Sequence, residues 1–234
     1  MFSSWRRRLA EHVDLCLVHL PGRGRRMGEP PFKRLDALVE AIADVITDEL
    51  QHPFAFYGHS MGAVISFELT RELRRRHGVG PQQLFLSGRR APQMSSSKTA
   101  TFNLPDEEFI AEVSKLNGTP KELFQVAETR ELFLPVLRAD FEIVDTYEYA
   151  SAAQPLSCPI TVYGGLQDAN VPVESLSAWA KETHAGCKVR TFPGDHFFIH
   201  REGANFASVL GLDVAECLRG QCPPIRNFSK VETP

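Results

Sequence analysis

The sequence predicts an α/β chain: a mostly parallel sheet with helices on both faces and one helical insertion. Two observations carry this reading. Short apolar runs alternate with segments of helical period, and most of the runs are bounded by glycine or proline. That alternation breaks once, between about Ser95 and Ala153, and then resumes.

Val13 to Val18 (VDLCLV) is an apolar run suited to a buried strand, and the loop His19-Leu20-Pro21-Gly22-Arg23-Gly24-Arg25-Arg26 follows it. Leu35, Leu38, Val39, Ile42, Val45, Ile46 and Leu50 recur at helical spacing. Pro53 to Tyr57 (PFAFY) is a second buried strand, stopped by Gly58. From Met61 the period is helical again, with Val64, Ile65, Leu69 and Leu73 facing inward. Arg74-Arg75-Arg76-His77 before Gly78 is a stop signal, because cations complement a helix C-terminus and glycine takes the left-handed turn beyond it. Gln83 to Ser87 (QLFLS) is a third strand. Strands joined by helical crossovers pair in parallel, and such sheets are covered on both faces.

Within the break, Pro105-Asp106-Glu107-Glu108 opens a helix that presents Phe109, Ile110, Val113 and Leu116 on one face and closes at Gly118. Thr119-Pro120-Lys121-Glu122 has capping-box spacing. A third helical piece carries Leu132, Phe133, Leu134, Val136, Leu137, Phe141, Ile143 and Val144. Apolar helices inserted after a strand whose end borders the active site predict a lid, with an extra packing layer as the alternative. The alternation resumes at Pro159 to Tyr163 (PITVY), followed by a helix from about Val173 to Thr183, a strand from Lys188 to Phe192 and a helix from about Gly203 to Leu218. The expected organisation is an α/β core over 1–94 and 154–222, a lid over 95–153 and a flexible tail over 223–234.

Composition excludes several classes. A chain of 234 residues, 43% hydrophobic and 24% charged, is an ordinary globular domain. Its 26 Lys+Arg against 29 Asp+Glu give a net charge of −3, without the basic bias of a nucleic-acid binder. No apolar run is long enough for a transmembrane helix, and Arg6-Arg7-Arg8 lead into no apolar signal core. Cys16, Cys158, Cys187, Cys217 and Cys222 form no CxxC and no His-paired metal spacing. The expectation is a cytoplasmic monomer with reduced thiols, no metal and no cofactor, bound to neither nucleic acid nor membrane.

The chemistry centres on Gly58-His59-Ser60-Met61-Gly62. A G-x-S-x-G pentapeptide is weak alone, but here it follows a buried strand and opens a helix, the context of a nucleophile elbow. The turn lifts Ser60 Oγ off the sheet edge, and the helix N-terminus behind it favours developing negative charge. A serine nucleophile needs a base and an orienting acid, each in a loop at a strand's C-terminal end. Asp168 in Gly164-Gly165-Leu166-Gln167-Asp168 meets that requirement, as does His196 in Pro193-Gly194-Asp195-His196. His200 is the rival base and Asp195 the rival acid. His59 is expected to be packed, and His19 could line a pocket. The N–H of Met61, the residue after the nucleophile, is the predicted oxyanion donor.

With these residues in view, the chain resembles the free-standing type II thioesterases of polyketide and non-ribosomal peptide assembly lines. It is also similar to the medium-chain acyl thioesterase of animal fatty acid synthesis. LPGRGRR at 20–26, PFAFYGHSMGAVISFEL at 53–69, LFLSGRRAP at 84–92, YGGLQDANV at 163–171 and FPGDHFF at 192–198 carry the resemblance through nearly the whole chain. It implies an α/β-hydrolase fold and hydrolysis of acyl thioesters held on the phosphopantetheine arm of acyl or peptidyl carrier proteins. It also implies a triad of Ser60, Asp168 and His196. Family members begin with a strand ending in a Phe-Pro-Tyr-Ala-Gly-Gly-like loop that supplies a second oxyanion N–H. This sequence starts at Met1-Phe2-Ser3-Ser4-Trp5, in line with the helix after that loop, so that strand and loop are expected to be missing. A generic serine esterase or peptidase, and a non-catalytic carrier-binding module, are the alternatives. Arg23, Arg25 and Arg26 in the loop after the first predicted strand, and Arg89 and Arg90 after the third, are the candidates for carrier docking, because carrier domains offer acidic surfaces.

Overall fold

The structure, a computed structural model, describes Trp5, Leu9 and residues 13–94, 100–119, 121–151 and 154–221. Four strands, β1 (Ala55–His59), β2 (Gln83–Ser87), β3 (Ile160–Gly165) and β4 (Cys187–Phe192), form one parallel sheet in sequential order. Ala55 pairs with Gln83, Leu84 with Ile160, and Ile160 with Cys187. This register brings every C-terminal strand end to one edge: Ser60 follows β1, Gly88 follows β2, and the loops after β3 and β4 carry Asp168 and His196.

The pleat separates two cores. On one face Leu84, Leu86, Ile160 and Val162 pack against Ala63 and Phe67 of α2 (Met61–His77) and against Leu176 and Trp179. On the other face Phe85, Tyr163 and Phe192 meet Phe198 and Ile199 of α6 (Phe198–Arg201), together with Phe206, Ala207 and Leu210 of α7 (Gly203–Glu216). Trp5 closes the end of this second core, edge-on to Tyr57 at 5.1 Å between ring centroids. α1 (Leu35–Val45) lays Leu38, Val39 and Ile42 on the outer side of α2. Its helical turns stop at Val45, and Thr47–Gln51 tightens into a 3₁₀ segment. α2 runs unbroken to His77 and ends on Gly78 at φ +67°, the predicted left-handed stop. Asp213 on α7 ties that helix to the sheet, accepting from Tyr163 Oη, Lys188 Nζ and Arg190.

Val13 to Val18 is not a strand. The segment makes no ladder, and Val18 is 60% exposed. A strand exists through its partner's hydrogen bonds, and among the described residues β1 pairs only with β2. The apolar pattern is present, but among the described residues no neighbouring strand completes it. The predicted helix over 173–183 is also tighter than expected. Only Val173–Leu176 (α5) is α-helical, and Ser177–Glu182 is 3₁₀. Leu176, Trp179 and Glu182 are buried at intervals of three, which suits three residues per turn.

The insertion between β2 and β3 contains α3 (Asp106–Ser114), a 3₁₀ turn at Lys121–Phe124 and α4 (Ala127–Asp145). It has its own core of Phe109, Val113, Phe124 and Leu134. Asp145 accepts from the backbone N–H groups of Thr101 and Phe102, while Arg138 bonds the Phe102 carbonyl and Asp106. Its two ends are thereby tied to each other. The capping-box proline, Pro120, and the predicted tail over 223–234 lie outside the described residues.

Candidate active site

The elbow begins with a backbone constraint. Ser60 holds φ 54° and ψ −113°, a conformation that costs a non-glycine residue of order 1–3 kcal/mol. The surroundings enforce it: Ser60 N–H donates to the Ser87 carbonyl at 2.8 Å, and the Ser60 carbonyl accepts from Ala63 N–H at 3.0 Å. Gly58 makes the turn possible, because a Cβ there would overlap the backbone of Gly62. Met61 N–H sits at the first position of α2, where a helix leaves its amides unpaired.

Three loops converge on the serine. His196 Nε2 lies 2.9 Å from Ser60 Oγ, and His196 Nδ1 lies 2.7 Å from Asp168 Oδ2. A carboxylate can only accept, so Nδ1 carries the proton and Nε2 presents its lone pair to the hydroxyl. His196 and Asp168 are each 6% exposed. Asp168 Oδ1 accepts from Asn170 N–H at 2.9 Å and Val171 N–H at 3.2 Å, which leaves Oδ2 aimed at the imidazole. The acid turn is tied to the histidine loop by Leu166 N–H to the Phe192 carbonyl and by Gln167 N–H to the Gly194 carbonyl, both at 2.8 Å. Gln167 Oε1 also accepts from Gly194 N–H. Gly165 lets the two loops approach this closely, since a Cβ there would overlap the Asp195 carbonyl.

The rivals stand aside. Asp195 accepts from Phe197 N–H and from Asn117 Nδ2, not from His196. His200 packs against Phe197 at 5.3 Å between ring centroids and makes no hydrogen bond to Ser60. His59 is packed as expected, with Nδ1 2.6 Å from Ser87 Oγ and its ring 5.2 Å from that of His196. Burial, reinforced by His196 and His200, pushes its pKa well below the ordinary histidine value, so it stays neutral beside the base. His19 is exposed, and its carbonyl accepts from Arg26.

Of the five arginines expected to dock a carrier, Arg25 is exposed and makes no side-chain hydrogen bond or ion pair with the described residues. Arg26 is exposed but forked onto Glu29. Arg89 is half-buried, and burial lowers its pKa. Arg90 bonds the Asn170 carbonyl and so braces the turn that holds Asp168. Arg23 turns away from the docking role expected of it: it grips Asp140 of α4 through two hydrogen bonds of 3.0 and 2.7 Å, because a carboxylate on the packed insertion lies within reach. Among the described residues, no cluster of His, Cys, Asp and Glu could hold a metal ion. No helix among them is long and apolar enough to cross a membrane.

A parallel sheet with a strained serine turn, and with acid and histidine loops at the same edge, defines an α/β-hydrolase. The chain belongs to the thioesterase family, a group of thioester hydrolases: the thioesterase-domain profile matches residues 1–212. It is similar to the gramicidin S biosynthesis protein GrsT of Aneurinibacillus migulanus, 44% identical over 85% of this chain and 77% of that one. Among solved structures it resembles RedJ, a thioesterase from the prodiginine biosynthetic pathway of Streptomyces coelicolor. The TM-score is 0.84 at 33% identity, over 91% of this chain and 84% of that one. It also resembles BorB, the type II thioesterase of the borrelidin biosynthetic cluster, with a TM-score of 0.81 at 31% identity over 93% and 86% of the two chains.

Proposed function

We propose that the chain is a serine thioesterase that releases acyl groups from the phosphopantetheine arm of carrier proteins. The observation that carries this reading is the unbroken hydrogen-bonded path from Ser60 Oγ through His196 to Asp168, at 2.9 and 2.7 Å, in a chain of the thioesterase family. Ser60 Oγ attacks the thioester carbonyl as its proton passes to His196 Nε2. Asp168 fixes the tautomer and stabilises the imidazolium. The carbonyl oxygen becomes an oxyanion facing Met61 N–H at the helix N-terminus. Collapse breaks the C–S bond, and the departing thiolate takes the proton from His196. Water then gives a proton to His196 and attacks the acyl-serine; as the C–O bond to Ser60 breaks, His196 returns that proton to Ser60 Oγ and the acid leaves. A thiol with a pKa of about 8–9 is a good leaving group, so modest protonation suffices.

The helical insertion over 95–153 acts as a lid whose apolar residues shelter the acyl chain. The carrier approaches the strand-end edge and is steered by Arg25, with Arg26 beside it. The scattered cysteines, which form no CxxC and no metal-ligand spacing, support a reducing, cytoplasmic setting. Acyl-pantetheine hydrolysis by wild type and by Ser60→Ala, with folding checked by circular dichroism, tests the reading. Loss of turnover in a folded variant is expected; comparable turnover would overturn the serine mechanism.

A further inference from the structure

We propose that Asn117 is a positioning residue: together with Gly118 it seats the lid on both residues that flank His196 and so aligns the catalytic imidazole. The inference rests on the reading of Ser60 and His196 as nucleophile and base.

Asn117 follows α3 at φ +58° and is, with Ser60, one of two non-glycine residues at positive φ among those described. Such a conformation is uncommon outside glycine, and asparagine tolerates it better than most. Here it has a use. Asn117 Nδ2 donates to Asp195 Oδ2 at 3.0 Å across 78 residues of sequence. The other Asp195 oxygen accepts from Phe197 N–H at 3.0 Å, so one carboxylate joins lid and loop. The next lid residue, Gly118, lies flat on Phe197, and a Cβ there would overlap the ring.

Two consecutive lid residues therefore engage positions 195 and 197, on either side of the base. Phe197 passes the contact inward. Its ring stands edge-on to His196, with centroids 5.1 Å apart at 86°, and it also packs on His59 at 5.2 Å. The half-buried His59 ring, held by Ser87, lies 5.2 Å from His196. The imidazole is thus confined by Asp168, by His59 and by a ring that the lid presses into place. Unseating Asn117 and Gly118 frees Phe197, and with it the orientation of Nε2 toward Ser60. Geometric losses of this size are enough to matter, because a misplacement of about 1 Å can cost 10²-fold in rate.

Three variants test this in the full chain. Asn117→Gly keeps the left-handed backbone and deletes the hydrogen bond. Gly118→Ala pushes the lid off Phe197. Asp195→Asn keeps its amide oxygen on Phe197 N–H and turns its NH₂ to Asn117, whose own amide can rotate to accept from it. Active sites are counted with a small fluorophosphonate, turnover is measured per counted site with a short acyl-pantetheine thioester, and amide hydrogen exchange is followed over 101–119. The first two variants should lose at least 10-fold in kcat per site, change KM less than threefold and exchange faster over 101–119. Asp195→Asn should stay within threefold of wild type. A loss explained by fewer counted sites, or kcat per site within twofold of wild type in both lid variants, overturns the proposal while leaving the serine mechanism standing. A wild-type protein that Ser60-directed fluorophosphonate does not label overturns both.

Discussion

Asp168→Asn is the sharpest single perturbation of the proposed relay, because the structure dictates how the amide must sit. Asp168 Oδ1 accepts two backbone N–H groups, from Asn170 and Val171. Only the amide oxygen of an asparagine can replace it there, so the amide NH₂ occupies the place of Oδ2 and faces His196 Nδ1 at about the present 2.7 Å. A donor in that position requires Nδ1 to accept. The ring then carries its proton on Nε2 and points an N–H at Ser60, where it can no longer take the serine proton. Such a tautomer switch costs about 10⁴-fold in kcat, or about 5 kcal/mol at 1.36 kcal/mol per decade. The volume is unchanged and both turn hydrogen bonds persist, so stability should move by under about 1.5 kcal/mol. Thiol release from an acyl-pantetheine thioester, followed with a chromogenic thiol reagent, gives the rate, and thermal melting gives the stability. A folded variant that loses less than 100-fold would refute the tautomer argument.

Gly165→Ala forces a methyl into the Asp195 and Gly194 carbonyls, a strain of about 1–3 kcal/mol that backbone atoms relieve only by separating the acid turn from the histidine loop. A lower melting temperature together with at least a 10-fold loss of kcat is expected, and unchanged kinetics would contradict it. His59 gives a pH dependence of known sign. Burial holds its folded pKa below the ordinary value, so below about pH 6.5 the unfolded chain binds a proton that the native chain refuses. Stability from this group should therefore fall as pH drops from 6.5 toward 5, by at most about 1.4 kcal/mol per unit, and His59→Gln should flatten the melting-temperature profile in that window. An equally steep profile in the variant would contradict the assignment. Reversing charge at Arg25 and Arg26 should raise KM for an acyl-carrier protein at least threefold at low salt and leave a small thioester unaffected; equal effects on both substrates would count against docking.

Ser60, Asp168 and His196, which the structure joins by hydrogen bonds, were legible because each obeys a local rule. A serine between close-packed glycines after a strand, an acid in a Gly-Gly turn and a histidine after Pro-Gly all advertise their loops within a few residues. The strand expected at Val13 to Val18 failed for the opposite reason: its apolar pattern is local, but the ladder that would make it a strand must come from elsewhere. The 3₁₀ segment at Ser177–Glu182 could have been read from the burial-prone residues at intervals of three, Leu176 and Trp179. Nothing in the sequence announces that Asn117 meets Asp195, or that Arg23 grips Asp140, since these pairs span long stretches without a repeating pattern. The arginines after β2 misled for a related reason. Sequence shows a charge and a loop, but whether a guanidinium turns outward or, like Arg90, inward onto the Asn170 carbonyl depends on the packed neighbours.

The central claim is that Ser60 becomes transiently acylated by a pantetheine thioester. Rapid mixing with an acyl-pantetheine thioester, an acid quench within milliseconds and intact-protein mass spectrometry test it most directly. A species heavier by one acyl group in place of one hydrogen is expected, located on the Ser60 peptide after digestion and absent from Ser60→Ala. Acylation at any other residue while Ser60→Ala continues to hydrolyse the thioester would contradict it.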